Sequence, residues 1–203
     1  MNQSGLNRSG LNQSTDHERM AAVARGDLAS MSGIYQNRHR ALFHFFFRLT
    51  GRQATAEDLV HEVFLRMIRY RHTYREEYAG GGFESSFESW MYRIARNALT
   101  DHARKHRNET APAEGELEAI DSGRPTPFET AAKRQDLARL HRALRELPED
   151  KREILVLARF QDLSYDRIGG ILGCGAGTVK TRVFRAMKEL SDIYSELCRE
   201  KAS

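Results

Sequence analysis

The sequence predicts an all-α fold: two small helical domains joined by an acidic flexible linker, with a helix-turn-helix at the C-terminal end. Three observations carry this expectation. Apolar residues recur at three- and four-residue spacing, and no segment shows sustained strand alternation. Helix-start signals recur along the chain, at Thr15, Thr55, Ser85, Thr126, Pro148 and Ser164. One stretch, 108–126, breaks the pattern: it has no period, carries Pro112 and Pro125, and sets Glu109, Glu114, Glu116, Glu118 and Asp121 against Arg124 alone.

The elements follow in order. Residues 1–14 repeat weakly (NQSGLN, then NRSGLNQS) and offer nothing to bury, so a disordered tail is expected there. Thr15 with Glu18 has capping-box form and opens a helical stretch through Met20, Val23, Leu28, Met31, Ile34 and the Leu42 to Phe47 cluster, divided near Gly26-Asp27. Thr55 with Asp58 starts a second helix, in which Leu59, Val60, Val63, Phe64, Met67 and Ile68 share one face and Glu57, Asp58, His61 and Glu62 the other. Ser85 with Glu88 starts a third, with Phe87, Trp90, Met91, Ile94, Ala98 and Leu99 as its buried stripe and basic residues gathering toward its end.

After the linker, Thr126-Pro127-Phe128-Glu129 combines an N-cap, a first-turn proline and a capping acid, which marks a new domain over 127–203. Leu137, Leu140, Leu144 and Leu147 form its first stripe. Pro148 opens the next helix, Glu149 and Asp150 complement its dipole, and Ile154, Leu155, Leu157 and Phe160 face inward. Ser164 caps a short helix, Gly173-Cys174-Gly175 makes a tight turn, and a longer helix runs from Ala176 to at least Leu190.

Composition narrows the function. The chain has 203 residues, 40% of them hydrophobic and 30% charged, with net charge +4, enough for one or two modest cores. A mildly basic balance does not by itself establish a nucleic-acid partner. Two cysteines, Cys174 and Cys198, outside any CxxC pair, indicate neither a disulfide framework nor a structural zinc. The N-terminal stretch is polar and no run of about 18 apolar residues occurs, so a protein that stays in the cytoplasm is expected. His102 and His106 are spaced i, i+4, but no HExxH carboxylate stands between them and they lie in a basic run that repels cations. No GxxxxGK[ST], GxSxG or paired-acid motif occurs. Neither a metal, a cofactor nor a catalytic residue is therefore expected.

The C-terminal segment points to DNA. On a wheel of about 100° per residue, Val179, Val183, Ala186, Met187 and Leu190 share one face. Thr178, Thr181, Arg185 and Lys188 stand opposite, with Arg182 and Phe184 on the flanks. That outward face has donors and no acid, which suits the major groove: arginine pairs bidentately with guanine, and threonine touches a base edge or a thymine methyl. Lys180, nearer the core edge, suits a phosphate contact, which positions without reading. The helix from Phe87 mixes Arg93, Arg96, Arg104, Lys105 and Arg107 with Trp90 and Tyr92, a combination suited to unstacked bases as well as phosphates. Equally, Trp90 is core and the basic end a dipole-stabilised terminus.

AEDLVHEVFLRM (56–67), FESWMYRIARNALTDHARKHR (87–107) and LRELPEDKREILVLARFQDLSYDRIGGILGCGAGTVKTRVFRAMKEL (144–190), in that order and with that linker, resemble the extracytoplasmic-function (ECF) sigma factors of bacterial RNA polymerase. The resemblance implies that 15–107 is sigma region 2 and 127–203 sigma region 4. It implies docking of the Thr55 helix on the clamp coiled coil of the polymerase's largest subunit through Asp58, His61, Glu62 and Leu65; the family usually has glutamine where His61 stands. It implies melting and reading of the minus-ten element by the 70s and 80s loop with Tyr74, and by Trp90, Arg93, Asn97, Arg104 and Lys105. Reading of the minus-thirty-five duplex would fall to Thr178, Lys180, Thr181, Arg182, Phe184, Arg185 and Lys188. The partners implied are core polymerase, promoter DNA both duplex and melted, and an anti-sigma inhibitor, with no membrane insertion.

The implied linker path is the polymerase's basic RNA channel, where carboxylates imitate nucleic acid; a plain soluble tether is the competing reading. Three departures from the family stand out: a loop from Tyr74 to Phe87 several residues longer than usual, Gly169-Gly170 where helix formers are usual, and Gly175-Ala176 in place of a polar cap. Two rivals to a sigma factor are a stand-alone helix-turn-helix regulator, which would bind duplex DNA alone and leave the Thr55 helix without a role, and a metal-dependent hydrolase using the histidines and carboxylates, which would need His102 or His106 for activity.

Overall fold

The computed structural model describes residues 7–74, 87–106, 127–161 and 163–199, and all the regular structure among them is helical, joined by short turns. The expected long loop and acidic linker fall mainly on 75–86 and 107–126, outside the described residues, as do Ser85 and Thr126. Among the described residues no helix is long and apolar enough to cross a membrane.

Helix α1 spans Asn7–Ala24, so helix extends ahead of Thr15 into the segment expected to be disordered. It stops where expected: Gly26 sits at φ 110°, which an L side chain resists, and Asp27 accepts from the Ala29 N–H at 3.2 Å to cap a 3-10 turn over Leu28–Ser30. Helix α2 spans Met31–Thr50 and closes on Gly51. Helix α3 spans Gln53–Arg69, starting before Thr55, with extended Arg52 at the cap position; the Thr55 box therefore lies inside the helix. Helix α4 spans Phe87–Lys105.

These helices enclose Ile34, Leu42, Phe45, Phe46, Val63, Met67 and Met91, all fully buried. Asp16, equally buried, ties α1 to α2: it accepts from Asn37 Nδ2 at 2.7 Å, Arg38 Nε at 2.6 Å and Arg19 Nη1 at 3.2 Å. A buried carboxylate without such donors would cost several kcal/mol.

The second half contains α5 (Pro127–Glu146), α6 (Glu149–Leu155) running into a π-helical turn over Val156–Phe160, α7 (Tyr165–Leu172) and α8 (Ala176–Arg199). Ser164 caps α7 through the Arg167 N–H at 3.4 Å, as predicted. Gly173 ends α7 at φ 69°, and the Cys174 N–H returns to the Gly169 carbonyl at 3.0 Å. A Cβ on Gly169 would run into the Cys174 carbonyl oxygen, which gives one of the two unexpected glycines a reason: the turn folds back onto it.

Two expected core residues end up at the rim. Met187 and Leu137 are each 37% exposed and line an open apolar groove between α5 and α8, together with Leu140, Leu190 and Tyr194. The α5 stripe is longer than the core it covers, so only Leu144 and Leu147 are fully enclosed.

The halves pack against each other, α4 on α7, and α2 on α5, α6 and the π-helical turn. Arg48 of α2 stacks its guanidinium 4.3 Å from the Phe160 ring, and Phe47 meets His141 edge-on at 6.1 Å.

Candidate nucleic-acid and polymerase-binding surfaces

In α8 the wheel and the structure agree at the decisive positions. Val179, Val183, Ala186 and Leu190 are buried, anchoring the helix on α6 and α7. Thr178, Lys180, Thr181, Arg182, Phe184, Arg185 and Lys188 are all exposed, Phe184 to 72%. No acid occurs between Thr178 and Lys188. The Thr181 hydroxyl donates to the Gly177 carbonyl at 3.1 Å. Lys151 of α6 pairs with Glu189, the first carboxylate of α8 after the basic face. The result is a rigid helix presenting guanidinium, ammonium and aromatic groups to solvent, a surface that fits the major groove.

The region around α4 is built differently. Arg93, Asn97 and Arg104 fall on one stripe at i, i+4 and i+11, with Arg93 half-buried and Asn97 and Arg104 exposed. Arg104 lies 3.5 Å from Asp101, and Lys105 is exposed beside it. Trp90 heads the same stripe but is only 5% exposed, and Tyr74, equally buried, covers it edge-on at 5.0 Å. The Tyr74 hydroxyl in turn meets His17 Nδ1. Tyr92 is buried on another side of α4, donating to Gln161 Oε1 at 2.7 Å, and burial pushes its phenol well above the ordinary tyrosine range. In this arrangement the two expected base-stacking aromatics are enclosed, and the accessible part of the stripe is polar.

On α3, Asp58, His61, Glu62 and Leu65 follow i, i+3, i+4, i+7 spacing and share one face. Asp58 and His61 are exposed, and Leu65 is 62% exposed, a large apolar side chain with no cover. Glu62 is held by Arg66 at 2.6 Å, and Arg66 reaches across to Asp101 of α4 at 2.8 Å. Burial alone would lower the Arg66 guanidinium's pKa, but Glu62 and Asp101 more than offset it. An exposed leucine on one face with Asp58 and Glu62 is a surface of the kind that suits protein docking.

The rings of His102 and His106 lie 4.3 Å apart, tilted by 33°; among the described residues no group of three or more potential metal ligands assembles. What the sequence did not disclose is a set of polar contacts between the halves: Glu88 between Arg38 and Arg167, Arg96 with Glu153, Tyr92 with Gln161, and Arg152 with the Leu49 carbonyl. The contacts that cross between the halves join residues 57 to 103 apart in the chain, beyond the reach of any local pattern.

Comparison with known proteins agrees with this division. Residues 34–109 match the model of Sigma-70 region 2, and residues 137–190 that of Sigma-70, region 4. The chain is 31% identical over 186 residues to the ECF RNA polymerase sigma factor SigE of Mycolicibacterium smegmatis, covering 88% of this chain and 68% of that one. It is 29% identical over 201 residues to the RNA polymerase sigma-H factor of Pseudomonas aeruginosa, covering 94% and 99%. Its fold is similar to the sigma factor RpoE of Bartonella quintana, solved in complex with the anti-sigma factor NepR, with TM-score 0.62 and 24% identity over 81% of this chain and 96% of that one. Two family models in the expected order, on helices that expose the expected faces, lead to one conclusion: the chain belongs to the ECF sigma factors of bacterial RNA polymerase.

Proposed function

We propose that this sigma factor divides its work among three helices. Members of the family bind core RNA polymerase and direct promoter-specific initiation, and this chain does the same. In the proposal, residues 15–107 act as region 2 and 127–203 as region 4, with 108–126 as the connector. The α3 face of Asp58, His61, Glu62 and Leu65 meets the polymerase clamp: the leucine supplies apolar burial and the acids set orientation and on-rate. Asn97, Arg93, Arg104 and Lys105 of α4 contact the minus-ten element. Trp90 and Tyr74, buried against each other in this arrangement, are assigned to the same element. The α8 face of Thr178, Lys180, Thr181, Arg182, Phe184, Arg185 and Lys188 reads the minus-thirty-five duplex.

The observation that carries this reading is the α8 surface, where every proposed reader is exposed on one continuous helix and no acid occurs over Thr178–Lys188. The protein contributes no catalytic group; polymerase performs the chemistry, in the bacterial cytoplasm. An inhibitory partner of the anti-sigma kind also belongs to the proposal, supported by the similar fold of a sigma factor solved with one.

The test is reconstitution with core polymerase of the host. The purified chain is expected to bind core and to start transcripts at a promoter that core alone ignores, and Asp58→Ala or Leu65→Ala to weaken association without altering duplex binding. A chain that binds duplex DNA yet ignores polymerase would be a stand-alone regulator, and the α3 assignment would be wrong.

A further inference from the structure

The seam where the two halves meet has two sides that differ in charge. On the α4 side cations meet acids: Glu88 lies between Arg38 and Arg167, and Arg96 pairs with Glu153. On the α2 side they do not. Arg40, His44 and Arg48 recur at i, i+4, i+8 on α2, and His141 and Arg145 at i, i+4 on α5, so each set shares one face of its helix, and these two helices pack together. Among the described residues no carboxylate pairs with Arg48, His44 or His141.

Arg48 is the centre of this cluster. It is half-buried, its guanidinium lies 4.3 Å from the Phe160 ring, and its Nη1 donates to the His44 carbonyl at 3.2 Å. Its Nε, like His44 Nδ1, is buried with no hydrogen-bond partner in the protein. Burial holds the guanidinium below its ordinary pKa, and no acid opposes that shift. Arg152 of α6, also half-buried, is supplied by backbone instead: it donates to the carbonyls of Leu49 at 2.8 Å, Arg145 at 2.6 Å and Leu147 at 2.9 Å, and Glu149 faces it as an acid. Arg48 has neither a set of carbonyls nor a carboxylate.

The chemistry of the cluster defines what would fit it. A partly desolvated cation is stabilised by an opposite charge, and this one has only like charges around it. Its flat face is taken by the Phe160 ring, which leaves the edge of the fork, the part that binds an oxyanion in plane. Arg40, Arg48 and Arg145 carry fixed positive charge, more than one carboxylate balances. The two imidazoles add to it on protonation: His44 lies between Arg40 and Arg48, and His141 between Arg48 and Arg145, and burial first and these guanidiniums second hold both below the ordinary histidine value. A multiply charged ligand with acceptors only, a phosphoryl group, reverses that balance and turns both rings into donors.

We propose that Arg48, flanked by Arg40 and His44 of α2 and by His141 and Arg145 of α5, forms a binding site for a phosphate-class oxyanion. The site shares no residue with the surfaces assigned to DNA and polymerase and does not depend on those assignments. It binds its ligand together with protons, because each imidazole that becomes a donor takes one up. Drawing on helices of both halves, it makes the protein more stable when occupied.

The test titrates the full chain with inorganic pyrophosphate at fixed ionic strength, with chloride making up the balance. Calorimetry is expected to show saturable binding of one pyrophosphate per chain, and the thermal midpoint to rise with its concentration. The side-chain nitrogen NMR signals of His44 and His141 are expected to move on binding. With sulfate, a dianion that does not itself titrate near neutral pH, both rings are expected to take up their protons at higher pH than in the free chain, and affinity to rise by up to about tenfold per unit fall in pH for each proton taken up. Arg48→Gln is expected to abolish binding. Arg40→Gln combined with Arg145→Gln, both exposed positions, is expected to weaken it by about tenfold while the midpoint without pyrophosphate stays that of the wild type, and this double variant decides the matter if Arg48→Gln does not fold. Binding that leaves both histidine signals unmoved and survives the double variant belongs to another basic surface and overturns the proposal. So does the absence of saturable binding above the chloride background.

Discussion

Helices α4 and α8 pair the same ingredients, arginines with an aromatic ring, yet dispose of the ring in opposite ways. Trp90 of α4 is 5% exposed, whereas Phe184 of α8 is 72% exposed. The difference lies in how the neighbours are placed around each helix. Helix α8 meets α5, α6 and α7, all of its own module, along the stripe from Val179 to Leu190, which leaves Phe184 and the basic residues beside it to solvent. Helix α4 is clasped on several sides: α3 and α1 take its apolar stripe, and α7 takes the Glu88 side. A wheel read against one partner therefore predicts exposure well for α8 and poorly for α4.

The sharpest way to break this comparison is to truncate both rings. Trp90→Ala removes a buried indole and is expected to cost about 3–5 kcal/mol of stability, read as a large drop in thermal midpoint. Phe184→Ala is expected to stay within about 0.5 kcal/mol of wild-type stability while weakening duplex binding. If Trp90→Ala kept its melting temperature and lost only minus-ten recognition, the indole would be exposed in the working protein and the contrast would collapse.

The next effect separates residues within α8. Arg185→Ala is expected to cost about 1–3 kcal/mol at a single promoter position, measured by affinity across a panel of point-substituted duplexes. Lys180→Ala is expected to weaken every duplex alike and to reduce the slope of log affinity against log salt by about 1. Exchanged outcomes would exchange the reading and positioning roles.

Much of this was legible in the sequence because it is local. The Ser164 cap, the break at Gly26-Asp27, the Gly173 turn and the α8 stripe are each set by residues within a few positions of one another, and the structure forms them there. Boundaries drifted where a good cap pattern competed with continuing helix, as at Thr15 and Thr55, both passed over by helices that start earlier. The seam was illegible for a different reason. Glu88 looked like the acid of a capping box, and no local pattern singles out Gln161 or Arg152; only the packing of the two halves gives them partners. Met187 and Leu137 were misplaced because a stripe tells which way a residue points, not whether anything covers it.

The smallest expected effect also concerns the seam, through its histidines. His44 of α2 and His141 of α5 lie beside it, and both are held below the ordinary histidine value of 6.5. For His44 the cause is burial first, then the Arg48 and Arg40 charges; for His141 it is burial, then Arg48 and Arg145. In the packed state these rings resist a proton that they accept at ordinary pH once the packing is lost. Between 6.5 and their lowered values the unpacked form therefore binds more protons, so stability rises with pH across that window and falls on acidification. Glu153 works in the opposite sense at lower pH: burial raises its carboxyl above 4.5 and Arg96 only partly offsets this, so protonation there favours the packed form. The thermal midpoint is thus expected to decline as pH drops below 6.5, and His44→Gln and His141→Gln each to flatten that decline. An unchanged pH profile in both variants would show that the titration belongs to other groups, and that the α2 side of the seam, unlike the Glu88 side, is indifferent to charge.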